Sequence, residues 1–341
     1  MKYKDALEEA YLQCMAQDPS IFIAGIGVDY SSAVFGTTHQ IIEKYGSKRI
    51  FDTPAMENAL TGIAIGAAAM GKRPVIIHLR NDFMFLALDQ LINLAAKWKY
   101  MYGGNAGNLP IVIRGIIGRG WGQGATHSQS LHTILGYFPG LHVVMPAFPK
   151  DAKGLTISAL QGNTPTIILE HRSLYETSGV VDEDCVSVPI GKANIVCEGS
   201  DISIIAVSQM AREAIVAAES LRKLGIKAEV IDLRSIRPFD EEAILTSLKK
   251  TGRILVIDNG WKMFGVCSEV AAICAEKGFQ YLKQPVKRLA WQDCPTPVSK
   301  SLEDVFYPNA STIAKEVLLM LNKDVSSLED IVIEDNFKGP Y

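Results

Sequence analysis

Short β-branched runs alternate with longer helical patterns along almost the whole chain, and this alternation restricts the fold more than any other feature. IFIAGIGV (21–28), PVIIHL (74–79), PIVIRGIIG (110–118), LHVVMPA (141–147) and TPTIILEH (164–171) read as strands. Most lack in/out alternation, which suits parallel strands covered on both faces. Helical patterns lie between them, near 3–17, 55–70, 83–101, 127–136 and 149–161. A polar stretch at 172–198 interrupts the pattern, and a second series follows. Its strands are DISIIAVS (201–208), KAEVIDLR (227–234), RILVIDN (253–259) and PVKRLAW (285–291), with helices near 210–223, 240–250, 265–277 and 310–322. The chain is therefore expected to be α/β, with two doubly wound domains. The expected divisions are a first domain at 1–178, a linker at 179–198, a second domain at 199–325 and an extended tail at 326–341.

Charge and composition narrow the function. The 341 residues are 48% hydrophobic and 21% charged, with a formal net charge of −3. Nothing here forms a basic footprint for nucleic acid or an anionic membrane surface. No stretch approaches the roughly 20 apolar residues that span a bilayer. The N-terminal MKYKDALEEAYLQCMAQD is charged and amphipathic, unlike a signal peptide. Six cysteines show no CxxC and no metal-ligand spacing, so reduced thiols in a cytoplasmic protein are expected.

Several segments carry candidate chemistry. GIIGRGWGQGATHSQS (115–130) follows a strand and precedes a helix, where phosphate loops sit. It lacks the Gly-Lys-Ser/Thr of a Walker A loop. GWGQGA (120–125) matches a lax dinucleotide pattern, but no acidic residue follows about 20 positions on. Its glycines are better suited to close approach of the backbone to a ligand or another chain. His127 ends this loop and could act as an acid or donor; it could equally be a capping or core histidine. His132 reads as structural. Phe83 and Phe85 lie where strand 74–79 gives way to a helix; an aromatic there is usually a core residue, and this is also the strand end where doubly wound sheets hold ligands. Asp89, Gln90 and Asn93 form a polar interruption expected to satisfy backbone or a partner surface.

Glu57 begins fourteen uncharged residues that run to Lys72. With Thr53 as N-cap and Pro54 at the first helical position, a capping-box acid belongs at 56, which is Met56. A helix-dipole role needs no small apolar neighbours. Gly62 and Gly66 suggest instead a smooth helix face at a close interface, where a carboxylate must be paired or stay protonated.

DTPAMENALTGIAIGAAAMGKRPV, DFMFLALDQLINLAAKWKYMYGG, THSQSLHTILGYFPGLHVVMPAFPKDAKGL, IDLRSIRPFDEEAI and KKTGRILVID occur in one order. Together they closely resemble the beta subunit of thiamine-diphosphate-dependent 2-oxo acid dehydrogenases of the pyruvate and branched-chain type, within the transketolase superfamily. The resemblance covers roughly residues 3–325. It implies a pyrimidine-binding domain with a parallel sheet, followed by a transketolase C-terminal domain with a mostly parallel one. By this resemblance Glu57 falls on the cofactor-activating glutamate, which bonds a ring nitrogen of the cofactor's aminopyrimidine. Phe83 falls on the aromatic packed against that ring, Leu79 on an apolar pocket position, and His127 on the active-site histidine of the HSQ motif. A potassium ion near Ala159 and Thr164 is also implied, although Gly162 stands where an Asp is common.

In the family that this chain resembles, a Gly-Asp-Gly segment helps to hold the diphosphate and Mg2+; the sequence contains none, so the resemblance implies that an alpha subunit carries them, in an α2β2 heterotetramer. The expected function is decarboxylation of a pyruvate-like 2-oxo acid and acyl transfer to lipoyl, with a lipoyl acyltransferase as a further partner. Ala125-Thr126 before the histidine and DNGWKMFG (258–265) depart from the usual pattern. They leave open a split transketolase-like transferase acting on a sugar or other acceptor, and a non-catalytic scaffold.

Overall fold

The computed structural model describes residues 1–30, 32–118 and 123–328. It forms two units: the first combines Met1–Gly118, His127–Ile190 and Ile236–Pro238, and the second contains the remaining described residues. Twelve strands are present among the described residues: β1 (Ile21–Gly25), β2 (Ile50–Asp52), β3 (Arg73–His78), β4 (Val112–Ile117), β5 (His142–Val144), β6 (Thr166–His171), β7 (Asn194–Cys197), β8 (Ile202–Ala206), β9 (Ala228–Asp232), β10 (Ser235–Arg237), β11 (Ile254–Trp261) and β12 (Lys287–Trp291).

The sheet of the first unit has the order β10-β5-β6-β4-β3-β1-β2. The pairs β1–β2, β1–β3, β3–β4, β4–β6 and β5–β6 are all parallel. Every residue of β4 and β6 is buried, which explains why their sequences show no period of two. Helix α1 (Tyr3–Gln17) lays Tyr3, Leu7, Ala10, Tyr11 and Cys14 into the core, at the three- and four-residue spacing of one helical face. Helices α2 (Glu57–Ala69) and α3 (Pro149–Gln161) belong to the same unit.

The sheet of the second unit has the order β12-β11-β8-β9-β7 and is parallel except for β7, which runs antiparallel to β9. Its long helices are α4 (Gln209–Lys223), α5 (Glu241–Thr251), α6 (Val266–Gly278) and α7 (Ala310–Met320). Capping sets two of them. Asp240 accepts from Ala243 N and Gly252 closes α5 in the left-handed conformation, while Asn309 and Thr312 form a reciprocal capping box for α7.

Several expectations are revised. The helix expected at 55–70 begins at Glu57 with Met56 as N-cap, so Thr53 does not cap it. The single helix expected at 83–101 is broken into a short helix (Asn81–Met84), a tight turn, a π-helical stretch (Asp89–Ala95) and a last turn (Trp98–Met101). The helix expected from 127 begins only at His132. The segment 179–198 is divided: residues to Ile190 belong to the first unit, and Asn194–Cys197 is a strand of the second sheet. Most of the tail at 326–341, and Arg119–Gly122 of the glycine-rich loop, lie outside the described residues.

Candidate active site

Four residues singled out in the sequence follow the carboxyl ends of parallel strands in the first unit. Glu57 comes after β2, Leu79 and Phe83 after β3, and His127 after β4. This is the edge at which doubly wound sheets hold ligands. The strand ends approach closely there: a Cβ added to Gly25 would lie 2.4 Å from Ile77 O. Beyond it, Gly27 donates its N–H to Asp52 Oδ1 and takes a φ of 74°, leaving Leu79 Cδ1 3.4 Å from where a Gly27 Cβ would sit. Leu79 is partly buried against the core.

Phe83 and His127 meet directly. Their ring centroids are 5.1 Å apart with planes at 81°, an edge-to-face contact. Phe83 remains 41% exposed, so its ring is available to a further group. Glu57, in contrast, is only 9% exposed. It is the first residue of α2, where the helix dipole favours negative charge. Its carboxylate has no hydrogen-bond or ion-pair partner among the described residues. The turn beside it is fixed: Asn58 Nδ2 donates to Leu86 O at 3.1 Å, and Gln90 Nε2 donates to Asn58 Oδ1 at 3.2 Å. Gln90 comes from the π-helical stretch, and its amide lies close to Gly62, where a Cβ would be 3.1 Å from Oε1. Within the polar interruption Gln90 anchors the start of α2, while Asn93 Nδ2 donates to Asp89 Oδ1 at 2.8 Å within their own stretch.

A clamp around His127 was not foreseen from the sequence. Asp82 Oδ1 accepts from Gln129 Nε2 at 2.9 Å and from Gln129 N at 3.3 Å. Asn81 Nδ2 donates to Gln129 O at 3.0 Å, and Asn81 Oδ1 accepts from Leu131 N at 3.1 Å. The turn that carries His127 is thereby tied to the segment that carries Phe83. Burial raises the Asp82 carboxyl above the ordinary aspartate range, while the Gln129 bonds oppose that shift. The HSQ sequence was a visible signal for Gln129; nothing in the spacing pointed to Asn81 or Asp82. His132 is structural as expected, fully buried with Nδ1 3.0 Å from Ser130 Oγ.

The glycine-rich loop leaves β4 through Gly118, whose φ is 92°; a Cβ there would lie 2.5 Å from His171 Nε2. Arg80 Nη1 donates to Gly118 O at 3.2 Å. At this position glycine is a steric requirement.

Ala159 and Thr164 are not brought to this site, since they flank the end of α3, before the amino end of β6. There Arg73 Nη1 donates to Leu160 O at 2.9 Å and Gly162 O at 2.6 Å, and Nη2 donates to Asn163 Oδ1 at 3.1 Å. Two carbonyls at this helix end, those of Leu160 and Gly162, are thus engaged by an internal cation, and Gly162 brings no carboxylate.

The donor set fits one half of thiamine diphosphate. A buried carboxyl, an exposed ring face and an apolar wall suit an aminopyrimidine. The other half has no match: no Gly-Asp-Gly occurs in the sequence, and no cluster of three metal-binding side chains occurs among the described residues.

Residues 1–178 match the transketolase pyrimidine-binding domain, and residues 191–313 match the transketolase C-terminal domain. The acetoin:2,6-dichlorophenolindophenol oxidoreductase beta subunit of Cupriavidus necator is 40% identical over 92% of this chain and 95% of its own length. The protein of the same name from Bacillus subtilis is 38% identical over 94% and 96%. The mitochondrial pyruvate dehydrogenase E1 component subunit beta-1 of Arabidopsis thaliana is 40% identical over 92% and 88%. Among solved structures, one titled as a split gene transketolase, inactive beta4 tetramer, superimposes with a TM-score of 0.77 at 22% identity, over 94% of this chain and 98% of that one, a likeness of fold. With both domain matches in sequence order and relatives near 40% identity over almost their full length, the chain belongs to the beta subunits of the thiamine-diphosphate-dependent 2-oxo acid dehydrogenases, within the transketolase superfamily.

Proposed function

We propose that this chain is the pyrimidine-side half of an enzyme that decarboxylates a small, pyruvate-like 2-oxo acid and passes the acyl group to lipoyl, in an α2β2 assembly. The observation that carries this reading is Glu57, a buried carboxylate at a helix start without a partner among the described residues. Thiamine diphosphate, when bound, supplies an electron sink for cleaving the bond beside the substrate carbonyl. Glu57 would hold a proton against the aminopyrimidine nitrogen, and Phe83 would pack on that ring with Leu79 as an apolar wall. His127, held by the Asn81–Asp82–Gln129 clamp, would donate a hydrogen bond or a proton to the reacting substrate oxygen. An alpha subunit would supply the diphosphate and Mg2+ ligands, and a lipoyl acyltransferase would receive the acyl group. A potassium ion near Ala159 and Thr164 would share the end of α3 with Arg73, which engages Leu160 O and Gly162 O. Six unpaired cysteines support a cytoplasmic location.

Two relatives named for acetoin support a second reading of the substrate, in which the cleaved molecule is an acyloin. The test is turnover of the chain co-expressed with its alpha subunit, using 2,6-dichlorophenolindophenol as acceptor and pyruvate or acetoin as donor. Glu57→Gln should assemble normally and lose at least about a thousandfold in kcat, roughly 4 kcal/mol of barrier. Full turnover in Glu57→Gln would refute the assignment of the site, whichever donor is used.

A further inference from the structure

EHRSLYE (170–176) leaves the carboxyl end of β6 and turns at once. His171 caps the tight turn Arg172–Leu174: its Nδ1 accepts from Ser173 N at 3.3 Å and lies 2.7 Å from Ser173 Oγ. Tyr175 is fixed on two sides, stacked on Tyr3 with ring centroids 5.9 Å apart and bonded through Oη to Glu170 at 2.7 Å. The Arg172 side chain lies over two rings, with Cζ 5.0 Å from the Tyr175 centroid and 4.5 Å from that of Phe35. Stacking of this kind orients a planar guanidinium and leaves its N–H edge to bond in the plane.

Phe35 reaches this place through a strained turn. It ends three successive non-glycine residues in the left-handed region, Ala33, Val34 and Phe35, with φ of 45°, 47° and 59°. Residues with a Cβ, a β-branched valine above all, avoid this conformation, and such strain gathers at functional sites. Thr37 N donates to Ala33 O at 2.9 Å and Thr37 Oγ1 to Val34 O at 3.0 Å, which holds the turn. Phe35 follows β1 and Arg172 follows β6. Their contact therefore bridges segments from either side of β3 and β4, the strands whose carboxyl ends lead to Phe83 and His127.

The guanidinium is oriented but not neutralised. The two carboxylates nearest to it in sequence are engaged by other cations: Glu170 by Arg114 at 2.5 and 2.7 Å, and Glu176 by Lys2 at 2.7 Å and Lys4 at 2.5 Å. Arg172 has no hydrogen-bond or ion-pair partner among the described residues, and its Nε is buried. Burial lowers Arg172 from its ordinary value, as for a cation drawn out of water, and Tyr175 and Glu176 oppose this.

We propose that Arg172 binds the carboxylate of the 2-oxo acid substrate, through the N–H edge that Phe35 and Tyr175 hold in place. The proposal rests on the chain being half of a 2-oxo acid decarboxylase, and it adds the residue that recognises the acid. A carboxylate meets a guanidinium fork at two points and supplies the negative charge that this position lacks. Acetoin has no carboxylate, so Arg172 separates the two candidate donors.

The experiment uses the chain in complex with its alpha subunit, loaded with thiamine diphosphate and Mg2+, as wild type, Arg172→Met and Arg172→Lys. Methionine keeps a flexible apolar side chain against Phe35 and Tyr175; lysine keeps the charge without the fork. Steady-state kinetics with pyruvate and with acetoin give the ratio of the two kcat/KM values. Arg172→Met should lower that ratio at least about tenfold, mainly through the KM for pyruvate, and Arg172→Lys should lower it less. Calorimetry with oxamate, an unreactive isostere of pyruvate, reads the same contact without turnover. Wild type should bind oxamate about tenfold or more tightly than Arg172→Met. Equal losses with both donors would make Arg172 a packing residue and overturn the proposal, as would equal oxamate affinity in the two proteins or none in wild type. Failure of the decarboxylase reading shows separately, as a wild-type complex that does not turn over pyruvate, and oxamate binding then decides for or against Arg172.

Discussion

At Glu57 the first unit keeps a carboxylate mostly out of water without giving it a cation, an arrangement that a purely structural position would not retain. The nearby Asp82 makes the contrast clear. It is also withdrawn from solvent, but Gln129 satisfies it with two bonds, and the product of that satisfaction is a fixed turn beneath His127. Asp82 therefore acts through another residue. Asp82→Ala should lower kcat about tenfold, the cost of a misplaced proton donor. Asp82→Asn keeps an acceptor oxygen for Gln129 and should stay within about threefold of wild type. Steady-state kinetics of the two variants beside each other check this; equal losses in both would argue for a charge effect instead of a positioning one. Glu57, Phe83 and His127 are singled out in the sequence because each sits in a motif, and Leu79 only through the resemblance those motifs carry. The role of Asn81 and of Asp82, although Asp82 opens one of those motifs, is not legible, because their partners lie some 50 positions away, across a fold that the local pattern does not specify.

Helix α2 shows what a surface left apolar can mean. Its outward stripe carries Ala59, Ile63, Gly66 and Met70, with Ile63 69% and Met70 84% exposed. A Cβ added at Gly66 would meet nothing within 4 Å, so the glycine does not serve packing inside this chain. A smooth apolar stripe on the helix that begins with Glu57 suits close contact with the alpha subunit. Ile63→Glu should leave the isolated chain folded, since surface changes cost within about 0.5 kcal/mol. It should nevertheless reduce the yield of complex by about tenfold or more in co-purification with the alpha subunit. Unchanged assembly would move the interface elsewhere. At this scale the sequence was readable where hydrophobic runs are long and ends are capped by local rules, as at α5 and α7. It was not readable at 83–101, where apolar spacing cannot distinguish a regular helix from the widened π turn through which Gln90 reaches Asn58. The short strands β2, β7 and β10 escaped for a related reason. Three or four residues carry no period, and pairing with distant neighbours creates them.

Across the whole first unit, buried polar groups fall into two kinds that respond differently to acid. Arg114 on β4 is fully buried, and its guanidinium donates to both oxygens of Glu170 at 2.5 and 2.7 Å. Tyr175 Oη adds a bond to Glu170 at 2.7 Å. Paired in this way, the charges are compensated, and removing one partner would cost about 3–5 kcal/mol. His78 at the end of β3 has no such compensation: it is 3% exposed, its Nε2 has no partner, and burial lowers it to about 4. Unfolding releases this side chain to its ordinary value near 6.5. Between these two values the unfolded chain binds a proton that the folded one does not, so stability falls as the pH drops through 6.5 towards 4. The contribution over that window is about 3 kcal/mol. His142, also lowered by burial, adds a loss of the same sign. Replacing His78 with Leu removes the first contribution and leaves the second. Urea unfolding of wild type and His78→Leu at pH 7.5 and pH 4.5 should therefore show wild type losing more stability between the two conditions, by about 2–3 kcal/mol. Equal losses would mean that His78 is reached by water or by a proton partner in the folded protein.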